Sequence, residues 1–178
     1  MVSDFVKGKA KLDYPIDIQK GITLHRLIDE FTDNHFVTKQ AKQFFKPELG
    51  LYAGAFVDIV YDYFLANDTS IFKNDAALNQ FTLATYKMLD DNTTYFPNTF
   101  LAPFASMKQH NWLVNYKTDE GIKKSFNNLT LRAKYINKSH NGFNVFLQKK
   151  EPLETCYSNF FKDVVAFSKI QYNQLINQ

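Results

Sequence analysis

The sequence has little of what would point to a secreted, membrane-spanning or all-β protein. Its single cysteine, Cys156, excludes an internal disulfide bond. With 6 glycines and 5 prolines, it lacks the closely spaced turns of a β-sandwich or barrel. We find no signal peptide, and no apolar run near the ~18 residues that a membrane-spanning helix needs. These absences favour a cytoplasmic globular protein without a membrane partner.

The charge balance is also modest. The chain has 21 Lys and Arg residues against 18 Asp and Glu, a formal net charge of +3. A nucleic-acid-binding protein is usually far more basic, so we expect no nucleic-acid partner. Lysines lie close together in two places, Lys7, Lys9 and Lys11, and then Lys39, Lys42 and Lys46. Most of them are expected to be ordinary solvated surface groups.

Apolar residues recur with helical periodicity along most of the chain, which contains 18 Phe and 10 Tyr. The spacing predicts helices over 16–34, 51–66, 76–89, 100–116, 119–135 and 152–176, the fourth with an interruption near Pro103. Loops are predicted at 67–70, 90–97 and 138–142. Because linkers, repeats and low-complexity segments are absent, we expect residues 1–178 to form a single all-α multi-helix bundle.

Acidic and imidazole side chains recur at helical spacing in the first third of the chain. Steps of four residues place His25, Asp29 and Asp33 on one stripe, and Asp58 and Asp62 on another. An unpaired carboxylate is costly to bury in such apolar segments, and a bound divalent cation would offset that cost. Mg²⁺ and Mn²⁺ prefer carboxylate oxygens and accept imidazole, so a metal site is one interpretation of this pattern.

Each of these residues also has a more ordinary interpretation. His25 could be a hydrogen-bonded structural histidine, and Asp29 could form an i, i+3 ion pair with Arg26. Asp58 and Asp62 could simply face solvent. On spacing alone, a metal site is the minority interpretation, since such patterns also occur on solvated helix faces.

The segments around these residues resemble the acyl carrier protein phosphodiesterases. The resemblance rests on residues 3–8 (SDFVKG), 21–29 (GITLHRLID), 31–35 (FTDNH) and 57–66 (VDIVYDYFLA), in this order. Proteins of this family are helical and are regarded as distant relatives of the HD-type metal-dependent phosphohydrolases. They hydrolyse the phosphodiester that joins 4′-phosphopantetheine to a serine of holo-acyl carrier protein, usually with Mn²⁺.

The resemblance implies roles for the acidic residues and their neighbours. The implied metal shell, or its immediate support, is Asp4, His25, Asp29, Asp58 and Asp62, with Mn²⁺ as the expected ion and Mg²⁺ or Fe²⁺ as the other candidates. The implied catalytic residues are Asp29, Asp33 as a group that positions water, and Arg26 as a phosphate contact. Because carrier proteins are acidic, lysines such as Lys7, Lys9 and Lys20 are expected to steer docking.

Two features depart from the family pattern. Relatives usually have a histidine-containing segment ahead of the Asp-Phe motif, so we expect the N-terminal helix to be truncated here. Tyr63 stands where many relatives have histidine. We therefore expect a metal-dependent phosphodiesterase that acts on holo-acyl carrier protein. The alternatives are an HD-like phosphohydrolase with another phosphoester substrate, and a non-catalytic helical module that binds an acidic carrier protein.

Overall fold

The computed structural model describes residues 2–137 and 141–177, and this part of the chain contains helices and no strand. The predicted all-α fold class is therefore confirmed. The α-helices of the described ranges are α1 (Ile16–Asn34), α2 (Phe36–Leu49), α3 (Ala53–Asn67), α4 (Asp75–Asp91), α5 (Asn98–Gln109), α6 (Trp112–Asn115), α7 (Asp119–Arg132), α8 (Gly142–Gln148) and α9 (Lys150–Ile176). Short 3₁₀ helices span Val2–Phe5, Gly8–Asp13, Gly50–Tyr52 and Thr93–Tyr95.

Helix α3 lies at the centre of the main hydrophobic core because most of its surface is apolar. Phe56, Val57 and Val60 are completely buried, and α2, α7 and α9 pack around the helix. Burying an apolar side chain of this size stabilises a fold by roughly 1.5–3 kcal/mol. Asp58 and Asp62 lie one turn apart on the stripe of α3 that solvent still reaches.

Helix α1 is fixed by contacts with α9 from the far end of the sequence. The ring of Phe31 stacks on that of Phe167 with centroids 4.3 Å apart. Nε2 of His35, the residue between α1 and α2, lies 3.2 Å from Oδ2 of Asp163 on α9. Phe31 follows Asp29 by two residues and therefore lies on the opposite side of α1. Packing on α9 thus orients the acidic side of α1 toward α3 and solvent.

A smaller hydrophobic cluster joins α4, α5 and α6. Its buried members are Tyr86, Phe100, Phe104 and Met107. The ring of Phe5 packs on Phe100 at 5.1 Å between centroids, so the first 3₁₀ helix is attached to α5. This contact places the adjacent Asp4 close to α1.

Residues 36–67 are the one stretch of the described chain long and apolar enough to cross a membrane by length and composition. We expected no such run. Core helices of globular proteins meet the same criterion, and half of its most apolar window is buried inside this fold. The stretch is not a single straight helix, because Gly50 has a φ of 53° between α2 and α3. Such a left-handed backbone suits glycine, and it reverses the chain there.

The observed helix bounds correct part of the sequence prediction. The helix predicted over 16–34 is confirmed as α1. The prediction for 100–116 is wrong in its middle, because α5 continues through Pro103 to Gln109 and the chain turns at Asn111, which has a φ of 46°. Helices α2 and α8 are absent from the prediction. Of the predicted loop 138–142, residues 138–140 lie outside the described residues, and Gly142 already belongs to α8.

Candidate metal centre

Three of the predicted ligands, Asp4, His25 and Asp29, form one compact cluster. Each offers one donor atom, and these atoms all lie within 4.8 Å of one another. Oδ2 of Asp29 lies 2.8 Å from Nδ1 of His25, and Oδ1 of Asp4 lies 3.8 Å from Nε2 of the same ring. Both carboxylates are exposed, and the imidazole is half-buried. Two carboxylates and one imidazole are a suitable donor set for a small divalent cation.

The cluster depends on two local features of the chain. His25 and Asp29 meet because a step of four residues is slightly more than one turn of α1. Asp4 is brought in from the N-terminal segment, which Arg26 fixes with a 2.6 Å hydrogen bond from Nη2 to the carbonyl oxygen of the buried Val6. Arg26 therefore anchors the segment that contains Asp4. Its expected contact with phosphate stays a prediction.

Asp58 and Asp62 on α3 are not members of that compact group in the described chain, but they share its electrostatic field. Solvent reaches both side chains, yet the surrounding protein atoms remove much of their hydration. Desolvation and the charges of Asp33 and Asp29 raise the pKa of Asp58 to about 6, against the opposing effect of Lys42. Desolvation and the charge of Asp58 raise the pKa of Asp62 to about 7. Both carboxylates therefore gain or lose a proton close to neutral pH.

Asp33, near the end of α1, is paired with a lysine of α2. Oδ1 of Asp33 accepts a 2.8 Å hydrogen bond from Nζ of Lys42, and its charge raises the pKa of Asp58. The structure thus brings Asp29, Asp33, Asp58 and Asp62 within electrostatic range along the α1–α3 surface. It does not assign a separate chemical role to any of them.

A polar cleft of about 440 Å³ adjoins these carboxylates, and the sequence analysis did not identify it as part of a site. Lys39, Lys42 and Lys46 line it from α2, and Asp33 and Asp58 line its acidic wall. The spacing of the lysines shows that they share a helix face, but not that this face borders the acidic residues. Gly54 leaves room for Lys42, since a Cβ there would lie 3.2 Å from the lysine Cε.

Tyr63, which we expected to replace a histidine of the family, belongs to the core. Only 8% of its surface is exposed. Its ring lies edge-on to Phe146 at 5.2 Å, and the ammonium of Lys150 lies 4.7 Å from its centroid. In this structure the side chain packs with α8 and α9, so it is a structural residue.

The family of the chain follows from a match over most of its length. A sequence model described as acyl carrier protein phosphodiesterase matches residues 1–164. The chain belongs to the acyl carrier protein phosphodiesterase family. All five predicted metal ligands, together with Arg26 and Asp33, fall within the matched range.

Relatives in this family are distant but cover most of the chain. The acyl carrier protein phosphodiesterase of Klebsiella pneumoniae subsp. pneumoniae is 24% identical over 169 residues, which are 95% of this chain and 88% of that protein. The one from Escherichia coli O6:H1 is 26% identical over 161 residues, 90% of this chain and 83% of that protein. No solved structure matches, so the likeness to HD-type phosphohydrolases stays a prediction.

Proposed function

We propose that this protein is a metal-dependent phosphodiesterase that removes 4′-phosphopantetheine from holo-acyl carrier protein. The main support is the coincidence of the family match with the Asp4–His25–Asp29 cluster, whose donor atoms lie within 4.8 Å of one another. In the reaction, a water oxygen forms a bond to phosphorus while the bond from phosphorus to the carrier serine oxygen breaks. The serine oxygen takes up a proton, and the products are apo-carrier and 4′-phosphopantetheine.

The donor set fits a divalent cation, with Mn²⁺ as the first candidate and Mg²⁺ or Fe²⁺ as the others. Asp4, His25 and Asp29 would hold it, with Asp58 and Asp62 as further ligands or their immediate support. A nearby cation would favour the ionised forms of Asp58 and Asp62, whose pKa values are raised in its absence. Such an ion supplies Lewis-acid polarisation of the phosphoryl group and lowers the pKa of an attacking water.

The protein's own side chains can move the protons that this reaction requires. A cation bound beside Asp58 and Asp62 would keep both ionised, so either carboxylate can accept a proton from the attacking water and pass it to the leaving serine oxygen. Lys42 holds Asp33 in the lining of the polar cleft, which also contains Asp58, and there Asp33 can orient water. Arg26 uses one N–H for Val6, and its guanidinium has further donors for a phosphate oxygen.

The carrier protein is proposed to dock on the lysine-lined cleft. Carrier proteins are acidic, and Lys39 and Lys46 are exposed beside the carboxylates that would act on the phosphodiester. Opposite charge accelerates encounter and orients the partner. Lys7 and Lys9, also exposed, lie on the segment that follows Asp4, and their charges would add to this attraction. We further propose that the reaction takes place in the cytoplasm, with no requirement for a membrane.

Asp29→Asn tests the proposed centre, because it keeps the size of the side chain and removes the charge that a cation needs. The protein is incubated with Mn²⁺ and purified holo-carrier, and loss of phosphopantetheine is followed by mass spectrometry. We expect Asp29→Asn to lower turnover by a factor of about 10² or more and to abolish Mn²⁺-induced thermal stabilisation. The neighbouring exposed Glu30→Gln is the matched control and should retain both.

Three results would contradict the proposal in different ways. If the unmodified protein does not convert holo-carrier, then holo-carrier is not its substrate. Turnover of nucleotides instead would show that the substrate is another phosphoester. A protein that gains no thermal stability from Mn²⁺, Mg²⁺ or Fe²⁺ would fit a non-catalytic carrier-binding module. If Asp29→Asn changes neither the turnover of holo-carrier nor the thermal stabilisation by metal, then Asp29 does not bind the metal and only forms an ion pair with His25.

A further inference from the structure

A second cavity lies beside α3, next to the lysine-lined cleft. It encloses about 220 Å³ between α3, α6 and α7. Ala55 lines both the cleft and this cavity, so the two open onto neighbouring parts of the same helix. No residue of this cavity belongs to the Asp4–His25–Asp29 cluster or was predicted as a site residue from the sequence.

The cavity adjoins the carboxylates of α3. Ile59 lines it, follows Asp58 in the sequence, and lies three residues before Asp62 on the same turn of helix. Burial raises the pKa of the phenol of Tyr116, in the opposite wall, and the nearby charge of Asp62 raises it further. A molecule with its reacting end at Asp58 and Asp62 can therefore extend into this cavity without crossing α3.

The walls of the cavity suit an uncharged chain that contains amides and short apolar segments. Ile59, Trp112 and Leu129 supply apolar surface, while Asn115, Ser125 and Asn128 supply amide and hydroxyl groups. The side-chain nitrogen of Asn115 donates a 2.6 Å hydrogen bond to the carbonyl oxygen of His110. This bond sets the orientation of the amide without using its oxygen. Ligand sites typically combine an apolar lining with a few such fixed polar groups.

Charged residues of the lining are of one sign. Lys124 and Arg132 contribute cations from α7, and the lining contains no carboxylate. Both side chains are exposed, so they border the opening. An anionic group just outside the cavity would therefore be attracted, whereas the interior favours an uncharged chain.

The corner between α6 and α7 keeps this shape through close backbone packing. A Cβ on Gly121 would lie 1.8 Å from the carbonyl oxygen of Asn115. Oγ1 of Thr118 accepts a 3.0 Å hydrogen bond from the backbone N–H of Gly121. The walls that contain Trp112 and Asn128 are thus fixed relative to each other before any ligand arrives.

From this geometry we propose that the α3–α6–α7 cavity binds the pantetheine portion of the substrate, with its two amides and branched apolar segment. The proposal rests on the proposed function. The phosphodiester would lie at Asp58 and Asp62, and the carrier would lie on the lysine-lined cleft. The pantetheine portion would lie between Ile59 and the α6–α7 corner. The cavity would thereby distinguish phosphopantetheine from other phosphoesters.

The protein provides its own probe, because Trp112 is the single tryptophan of the chain and lies in the cavity wall. Its fluorescence is titrated with pantetheine, with 4′-phosphopantetheine and with inorganic phosphate. We expect a saturable change with both pantetheine compounds and none with phosphate. This readout requires neither catalysis nor the carrier.

Adjacent asparagines on α7 give a matched pair of variants. Asn128 lines the cavity, and Asn127 is exposed outside it. Asn128→Ala should weaken binding of pantetheine about fivefold, the effect of one lost hydrogen bond, and Asn127→Ala should change it less than about twofold. Ser125→Phe, which fills the cavity, should weaken binding about tenfold or more while circular dichroism verifies the helical fold.

The outcomes separate this inference from the proposed function. Three results would overturn the pantetheine site even if holo-carrier is hydrolysed. They are no saturable change with either pantetheine compound, a response to phosphate alone, and unchanged binding in both Asn128→Ala and Ser125→Phe. Saturable binding that Asn128→Ala and Ser125→Phe weaken, and that Asn127→Ala leaves nearly unchanged, would support the site. It would do so even if holo-carrier is not hydrolysed, a result that would count against the proposed function alone.

Discussion

Asp58 and Asp62 are ionisable groups on an otherwise apolar helix, and their protonation depends on where α3 places them. Their pKa values rise to about 6 and about 7 from an ordinary value of 3.8. In the unfolded chain, where they regain full hydration, both would ionise near the ordinary value. Between about pH 4 and pH 7 the folded protein therefore binds more protons than the unfolded one.

This difference predicts that the metal-free protein loses stability as pH rises from about 4 to about 7, because folding then has to accommodate two ionised carboxylates. Asp62→Asn removes one of them and should stabilise the metal-free protein at pH 8 by about 1 kcal/mol, a value reduced for solvent screening. Urea unfolding at pH 5 and pH 8 measures both effects. Glu30→Gln serves as the control, and an Asp62→Asn variant that is less stable at pH 8 would contradict desolvation of this carboxylate.

At the scale of elements, the α6–α7 corner shows where a single glycine is required. Gly121 has no room for a Cβ beside the backbone of Asn115, whereas Gly21, on the exposed side of α1, has nothing within 4 Å of that position. The two residues are both helical, so the same substitution tests steric fit in one case and helix propensity in the other.

We expect Gly121→Ala to destabilise the protein by about 1–3 kcal/mol, because the corner has to move. Gly21→Ala should stabilise it by up to about 1 kcal/mol, since alanine loses less backbone entropy in a helix. Urea unfolding monitored by circular dichroism measures both. Equal stability changes of the same sign in the two variants would mean that the corner relaxes without cost.

The elements also show how far sequence reasoning reaches. The regular apolar spacing of α1 defines its bounds from Ile16 to Asn34 correctly. Helix α8 has only seven residues, Gly142–Gln148, too few for a helical period to be recognised. The end of α5 could not be predicted either, because the break is set by the left-handed backbone of Asn111, and Pro103 alone does not interrupt the helix.

For the site, the sequence predicts what lies within one helix and little of what lies between helices. The pairing of His25 with Asp29 follows from their spacing. Asp4 lies near His25 because Phe5 packs on Phe100 and the carbonyl of Val6 accepts a hydrogen bond from Arg26. Only the family resemblance implied that Asp4 belongs to the site. The cavity beside Trp112 joins residues of α3 with residues more than fifty positions later, so periodicity could not indicate it.

At the scale of the whole molecule, a net charge of +3 is less informative than its distribution. The exposed lysines of α2 border a group of carboxylates, so that positive and negative surfaces meet at one cleft. An acidic carrier would be attracted by the lysines and repelled by ionised carboxylates that lack a cation. Docking and metal binding are therefore expected to favour each other.

The double variant Lys39→Glu/Lys46→Glu should raise KM for holo-carrier about tenfold at low salt and leave kcat nearly unchanged. Added salt should raise KM for the unmodified protein and reduce the difference between the two proteins, because it screens exposed charges. Steady-state kinetics at two salt concentrations measure this. The exposed pair Lys73→Glu/Lys169→Glu changes the net charge by the same amount and is the control. An equal rise in its KM would show that the α2 face has no special role.

Helix α1, which contributes His25 and Asp29, is fixed by a helix that is synthesised much later. His35 and its partner Asp163 are separated by 128 positions in the sequence. Closing so long a loop is slow, and during translation α1 emerges well before α9. The proposed metal site on α1 therefore takes its final form only after α9 has been synthesised. Incomplete chains would therefore not yet act on the carrier protein.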